Sequence, residues 1–134
     1  MATKQISIKT YSFIADFNMA QVGSISTGLF IPEKTVLVRP SFYKGIISAT
    51  SAGGGNATFE IGWAGNTAAI FNTALFTSII QGNVIYAHVA AGDPVASNGI
   101  EIPAGGVEIL YTIGTDPFQT GQAIFCFQTF EMTL

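Results

Sequence analysis

Side-chain catalysis needs a nucleophile with a base, a pair of carboxylates, or a metal. The chain offers a single histidine, His88, and a single cysteine, Cys126. His88 has the proton affinity of a general base. It stands in an alternating segment with Val84 and Tyr86 on its own face, where a hydrogen-bonded structural histidine is the expected reading. Cys126 lies between Phe125 and Phe127, and a thiol buried in apolar surroundings has a raised pKa and is inert. A core position is expected for it. One Cys and one His cannot close a zinc site, and a lone Cys forms no intrachain disulfide. The carboxylates are Asp16, Glu33, Glu60, Asp93, Glu101, Glu108, Asp116 and Glu131, no two within three positions of each other. That spacing writes neither a glycosidase pair nor an Asp-rich calcium loop. Asp93-Pro94 and Asp116-Pro117 read as turn dipeptides.

Gly53-Gly54-Gly55-Asn56 is rich enough in glycine to cradle a phosphate, but a P-loop ends in Lys-Ser or Lys-Thr and opens a helix. Here Asn56-Ala57-Thr58 opens a strand. The same triplet is a glycosylation sequon, with meaning only in a secreted protein. No catalytic residue, metal site or cofactor is expected, and the reading is a non-enzyme.

The elements that hold these residues are strands. Ala57, Phe59, Ile61 and Trp63 alternate with polar or small neighbours, and so do Val107, Ile109, Tyr111 and Ile113. Ile6 and Ile8 alternate with Ser7 and Lys9, and Val84, Tyr86 and His88 oppose Ile85, Ala87 and Val89. Thr35 to Ser48 is long and rich in β-formers, with Pro40 predicting an edge, a bulge or a bend. Ala123 to Met132 is apolar on both faces around Ile124-Phe125-Cys126-Phe127, as in a central strand or one covered by a neighbouring subunit. Two proline turns, Ile31-Pro32-Glu33-Lys34 and Ile102-Pro103-Ala104-Gly105, each feed a Val-rich strand. Ala91-Gly92-Asp93-Pro94 and Ser97-Asn98-Gly99 mark a longer loop. One segment, Thr67 to Phe76, has Ile70/Ala74 and Phe71/Leu75 four apart, which predicts a turn or two of helix with Phe71, Leu75 and Phe76 closing one end of the core. The expected fold is an all-β sandwich, jelly-roll-like, of seven to nine strands with at most one short helix. Residues 1–23 are expected to form an N-terminal arm or first strand and residues 24–134 the sandwich domain.

Composition narrows the function. The 134 residues make one domain, and only 10% are charged, against roughly 25% in an average soluble domain. Mean hydropathy is positive. A small domain has much surface, which must then be covered by uncharged polar groups or by other chains. The net charge of −3 comes with five scattered basic residues, not the cluster that nucleic acid requires. No run of about 18 apolar residues is present, so no membrane helix is expected, and the N-terminal residues lack a signal-peptide pattern. Phe outnumbers Tyr and Trp, eleven to four and one, which favours packing over sugar stacking; Trp63 reads as core.

The order of elements carries a resemblance. Phe30-Ile31-Pro32-Glu33-Lys34-Thr35-Val36-Leu37-Val38-Arg39 enters a long strand, followed by Phe42-Tyr43-Lys44-Gly45-Ile46-Ile47-Ser48, a Gly-rich loop and Ala57-Thr58-Phe59-Glu60-Ile61-Gly62. Glu108 to Gly114 and Thr120 to Gln128 close the pattern. From Ser26 to Met132 the chain resembles small virion proteins of tailed bacteriophages, of the capsid decoration, cement or head-fibre-base kind. The resemblance implies a β-sandwich subunit, often a homotrimer, that clamps the major capsid protein on the head exterior after synthesis in the host cytoplasm. It implies no cofactor, nucleic acid, membrane or small-molecule substrate. Many such proteins are more charged, which keeps a tail, baseplate or glycan-binding fibre component as the alternative. The N-terminal arm falls outside the resemblance. Its alternation predicts assembly contacts through Ile6, Ile8, Tyr11 and Phe13, by strand addition to a neighbour.

Overall fold

A computed structural model of the chain describes residues 5–86 and 100–133. Among these residues the strands are β1 (Gln5–Asp16), β2 (Gly23–Ile31), β3 (Thr35–Ser51), β4 (Thr58–Trp63), β5 (Asn66–Leu75), β6 (Val84–Tyr86), β7 (Ile100–Glu101), β8 (Val107–Gly114) and β9 (Phe118–Thr133). One sheet runs β1-β9-β3-β6, with β7 also on β3; the other runs β2-β8-β4-β5. All named pairs are antiparallel. The chain is an all-β sandwich, as its period-two alternation predicts. His88, Asp93 and the turns at 91–94 and 97–99 lie outside the described residues.

Alternation explains what faces inward. Phe59, Ile61 and Trp63 on β4 are buried, as are Val107, Ile109, Tyr111 and Ile113 on β8. The first sheet contributes Leu37, Tyr43, Ala123, Phe125 and Phe127. Phe125 sits at the centre. Its ring lies 5.1–5.4 Å from those of Phe13, Tyr43 and Phe71, and 6.0 Å from Phe59. These contacts join strands of both sheets in the offset and edge-on geometries aromatic quadrupoles favour. Phe17, just after β1, stacks on Phe118 at 4.6 Å and closes one end.

The segment predicted to be helical is β5, and the helix expectation is corrected. Its register against β4 shifts between Phe59 and Ile61 and again between Ile61 and Trp63. Irregular pairing buries Ala69, Ile70 and Phe71 in succession, and this break in phase imitates helical spacing. Only Phe76–Ser78 forms a single 3-10 turn. Phe71 is fully buried, Phe76 packs partly on the core, and Leu75 is 52% exposed.

Pro40 sits at a bulge. The pairing steps from Val38↔Gln128 to Phe42↔Cys126, so β3 carries two more residues there than β9. On its other edge β3 pairs with β7 at Val36 and Leu37 and with β6 at Phe42 to Lys44. The proline thus occupies a stretch where no described strand asks for its missing N–H. The two Ile-Pro turns come together. Ile31 and Ile102 are both buried, and the Ile102 N–H donates to the Thr35 carbonyl at 2.8 Å. Further along β3, Gly45 is covered by the chain at Ile80, whose backbone a Cβ would strike. Its N–H donates to Asn83 O at 3.0 Å, and its carbonyl accepts from the Gly82 N–H at 2.9 Å.

Three buried polar groups generate predictions. The Thr129 hydroxyl, fully buried on the inner face of β9, has no hydrogen-bond partner among the described residues. An unpaired buried hydroxyl costs about 1–3 kcal/mol. Thr129→Val, of nearly the same shape, is therefore expected to raise stability by about 1 kcal/mol, read as a higher urea midpoint with unchanged m-value. The Tyr43 hydroxyl donates to Ser78 Oγ at 2.8 Å, and burial, only partly offset by that bond, holds the phenol above its ordinary value. Tyr111 is shifted the same way, by burial first and then by the Asp16 charge. A phenol whose folded pKa is raised gives its full stability below the unfolded value of about 10 and loses it as pH climbs towards the folded one. Chemical-denaturation midpoints are expected to stay level for these groups from pH 7 to 9 and to fall above pH 10, less steeply in Tyr43→Phe.

Candidate functional site

The two sheets turn different outer faces to their surroundings. On the β2-β8-β4-β5 sheet the outward positions mix hydroxyls such as Ser24, Thr73 and Thr112 with Glu60, Glu108 and the exposed Phe30 and Leu75. Ser24 Oγ and Thr112 Oγ1 share a hydrogen bond of 2.8 Å. Glu60 accepts hydrogen bonds from Thr67 Oγ1 and, at 2.9 Å, from Thr73 Oγ1. This face is hydrated without many ions.

The outer face of the β1-β9-β3-β6 sheet carries several exposed apolar side chains set among Thr10, Ser12, Lys44, Gln122 and Gln128. Register decides which residues share it. Ile8↔Phe130↔Val36, Ser12↔Cys126↔Phe42↔Tyr86 and Ile14↔Ile124↔Lys44↔Val84 form successive rows across the strands. Ile8 is 68% exposed, Ile14 56%, Val84 47% and Tyr86 64%. Cys126, Ile124, Phe42 and Phe130 are half-buried between them. Beside the Pro40 bulge a shallow groove of about 250 Å³ is lined by Thr10, Phe42, Tyr86, Cys126, Phe127 and Gln128.

The expectation that Cys126 lies in the core is corrected. Neighbouring strand positions point to opposite faces, so Phe125 and Phe127 turn inward while Cys126 turns outward. Partial burial still pushes its thiol up. Val84 and Tyr86, the face-mates of His88 in the sequence, point outward, and Ile85 packs partly against the core. Of the residues expected at assembly contacts, Ile8 lies on the outer face. Tyr11 and Phe13 are half-buried and stack on Phe127 and Phe125 of this same chain, at 5.4 and 5.3 Å. Ile6 pairs with Met132 through the backbone register. β1 thus belongs to this chain's own sheet on one side and is its outermost strand on the other.

Sequence reasoning missed what the carboxylates do. Asp116 is more than a turn-former. Its Oδ2 accepts the Asn56 N–H at 2.9 Å, tying the Gly-rich loop to the β8–β9 turn. Cβ atoms at Gly53 and Gly54 would stand in tight contact, 3.2 and 3.1 Å from its carboxylate oxygens, and Gly53 and Gly55 hold positive φ angles of 61° and 80° that favour glycine. The glycines that suggest a phosphate loop serve a turn here. Among the described residues no three His, Cys, Asp or Glu gather to hold a metal, and no helix is long and apolar enough to cross a membrane. The exposed apolar side chains themselves had a signal: in β1 both alternating sets, Ile6/Ile8/Ile14 and Tyr11/Phe13, are apolar.

No protein-family model matches the chain, and no curated protein matches it in sequence. Its fold is similar to that of a chain in the acidic stable capsid structure of Helicobacter pylori bacteriophage KHP30, with a TM-score of 0.59 and 10% identity over 98% of this chain and 97% of that one. A chain of the disulfide-linked pili that form Bacillus endospore appendages aligns over 99% of this chain and 93% of its own, with a TM-score of 0.45 and 11% identity. The first likeness is one of fold. The second is too distant to carry an argument.

The outward, partly desolvated thiol gives a measurable expectation. Cys126 should react with iodoacetamide, but more slowly at pH 8 than a free cysteine assayed beside it, with the rate–pH midpoint displaced upward. A reaction as fast as the free thiol's at neutral pH would count against this placement.

Proposed function

We propose that the chain is a non-enzymatic structural protein of a tailed-bacteriophage virion, a decoration or cement subunit on the outside of the head. In this reading it is a jelly-roll-like homotrimer that contacts the major capsid protein. The observation that carries the reading is the number of large apolar side chains left exposed on a chain with few charges, among them Ile8, Ile14, Val84 and Tyr86 on one sheet and Phe30 and Leu75 on the other. Such side chains are more expected where neighbours in a shell cover them than on a protein that works alone in water. The similarity in fold to a chain of the KHP30 capsid supports the same reading. Many weak copies on one shell add to a firm clamp, so no single contact needs high affinity. β1, carrying Ile6, Ile8, Tyr11 and Phe13, is proposed as the strand that borders a neighbour, since among the described residues no strand pairs its outer edge and the Tyr11 and Phe13 rings are only half-covered.

A glycan-binding fibre or tail role would call for stacking aromatics on the surface. Trp63 is 4% exposed, Tyr43 2% and Tyr111 8%, which leaves Tyr86 over Phe42, the half-covered Tyr11 and the exposed Phe30 as the aromatic features in its favour. The test uses heads from a phage deleted for this gene, mixed with the purified protein. Saturable co-sedimentation and a higher temperature of DNA release are expected. Binding to isolated tails and not to heads would overturn the head reading in favour of the tail one.

A further inference from the structure

We infer that the outer face of the β2-β8-β4-β5 sheet holds, at its Phe30 end, a binding groove for an arginine side chain of a partner protein, built from Glu108 and the Phe30 ring. The site lies on the sheet opposite to β1, and it stands or falls apart from the question of head or tail.

Register supplies the geometry. Phe30 on β2 and Glu108 on β8 are direct partners, so their side chains leave the same face of the sheet side by side. The Phe30 ring lies over Gly106, where an added Cβ would fall 2.5 Å from its Cζ, and Gly106 also holds a φ of +78°. One side of the ring is thus set against backbone while the residue remains 59% exposed. Beside it a groove of about 220 Å³ is lined by Trp63, Ala64, Gly106, Val107, Glu108 and Leu110. That is room for one long side chain; pockets for drug-sized ligands take roughly 300–1,000 Å³.

Charge selects the occupant. Asp16, Glu60 and Asp116 accept hydrogen bonds within the chain. Glu108 is exposed and makes no hydrogen bond or ion pair among the described residues. Three more carboxylates lie at this end of the sandwich: Glu33 in the turn before β3, Glu101 opposite Val36 and Glu131 opposite Thr35. Against them stand Lys34 in the same turn and Lys9 two register positions inward. The balance is negative, which draws a cation to the groove. An unpaired carboxylate beside an open aromatic face and an apolar groove matches a cation on an aliphatic stem. Arginine suits it better than lysine, because a guanidinium stacks on an aromatic ring, is weakly hydrated and can pair a carboxylate through two N–H groups. A sugar would need several polar partners, and of the lining side chains only Glu108 and the Trp63 indole carry a polar atom.

The experiment follows the backbone amides of the isotope-labelled full chain by NMR during titration with N-acetyl-arginine methylamide. Saturable shifts are expected at Phe30, Ala64, Gly106, Glu108 and Leu110. The citrulline analogue, of the same shape without the charge, is expected to bind about fivefold more weakly. Glu108→Gln should weaken the arginine probe by about the same factor and leave citrulline unchanged. Phe30→Ala should weaken it about threefold. Glu33→Gln, at the same end but outside the groove, should change binding less than about twofold, since screening limits a distant charge. Should Phe30→Ala fail to fold, the isosteric Glu108→Gln decides alone. Shifts scattered over every exposed carboxylate, equal binding of the two analogues, or indifference to Glu108→Gln would each overturn the inference. So would glucose moving these amides where the arginine probe does not, an outcome that hands the groove to a glycan.

Discussion

The Phe125 ring is the point at which the two sheets become one molecule. It belongs to the strand that is paired on both edges, β9, and it meets Phe13 and Tyr43 from its own sheet and Phe59 and Phe71 from the other. Removing so large a side chain from a packed interior typically costs about 3–5 kcal/mol, a large share of a small domain's margin. The rest follows from where that ring points. With Phe125 inward, Cys126 and Ile124 must be outward, and the register of β1 and β3 carries Ile8, Ile14 and Phe42 to the same side. The exposed apolar side chains of the outer face are the other half of the arrangement that builds the core.

This division also accounts for the low charge. Asp, Glu, Lys and Arg are 10% of the chain, and the hydroxyls of the β2-β8-β4-β5 face take their place in water. Several of them spend their hydrogen bonds on each other, which keeps that face ordered.

Much of the fold is legible in the residue pattern because a period of two has only one regular solution. The strands from Ala57 to Trp63 and from Val107 to Ile113 could be placed and faced correctly from alternation, while the chemistry of proline narrowed Pro40 to an edge, a bulge or a bend, of which the structure has the bulge. What could not be read has physical causes. At β5 the two register shifts against β4 break the alternation, so Ile70/Ala74 and Phe71/Leu75 take a helical spacing in a strand. At β9 a run apolar on both sides does not say which side has a layer over it within the chain, and Cys126 was assigned to the wrong one. The role of Asp116 depends on a contact 60 residues away in sequence, beyond the reach of any local pattern.

The place of β9 in the sheet has a consequence for biosynthesis. β1 and β3 are made early, yet neither touches the other in the sheet; each pairs with β9, in registers that run from Gln5↔Thr133 to Asp16↔Gln122 and from Thr35↔Glu131 to Ser51↔Phe118. A nascent chain on the ribosome therefore holds two strands with an empty lane between them until Phe118–Thr133 has emerged. The sheet closes in a single late step across very long loops, the kind of event that makes folding slow. A chain that stopped shortly before that strand would hold every strand of the β2-β8-β4-β5 sheet but would leave β1 unpaired and the core without Phe125 and Phe127.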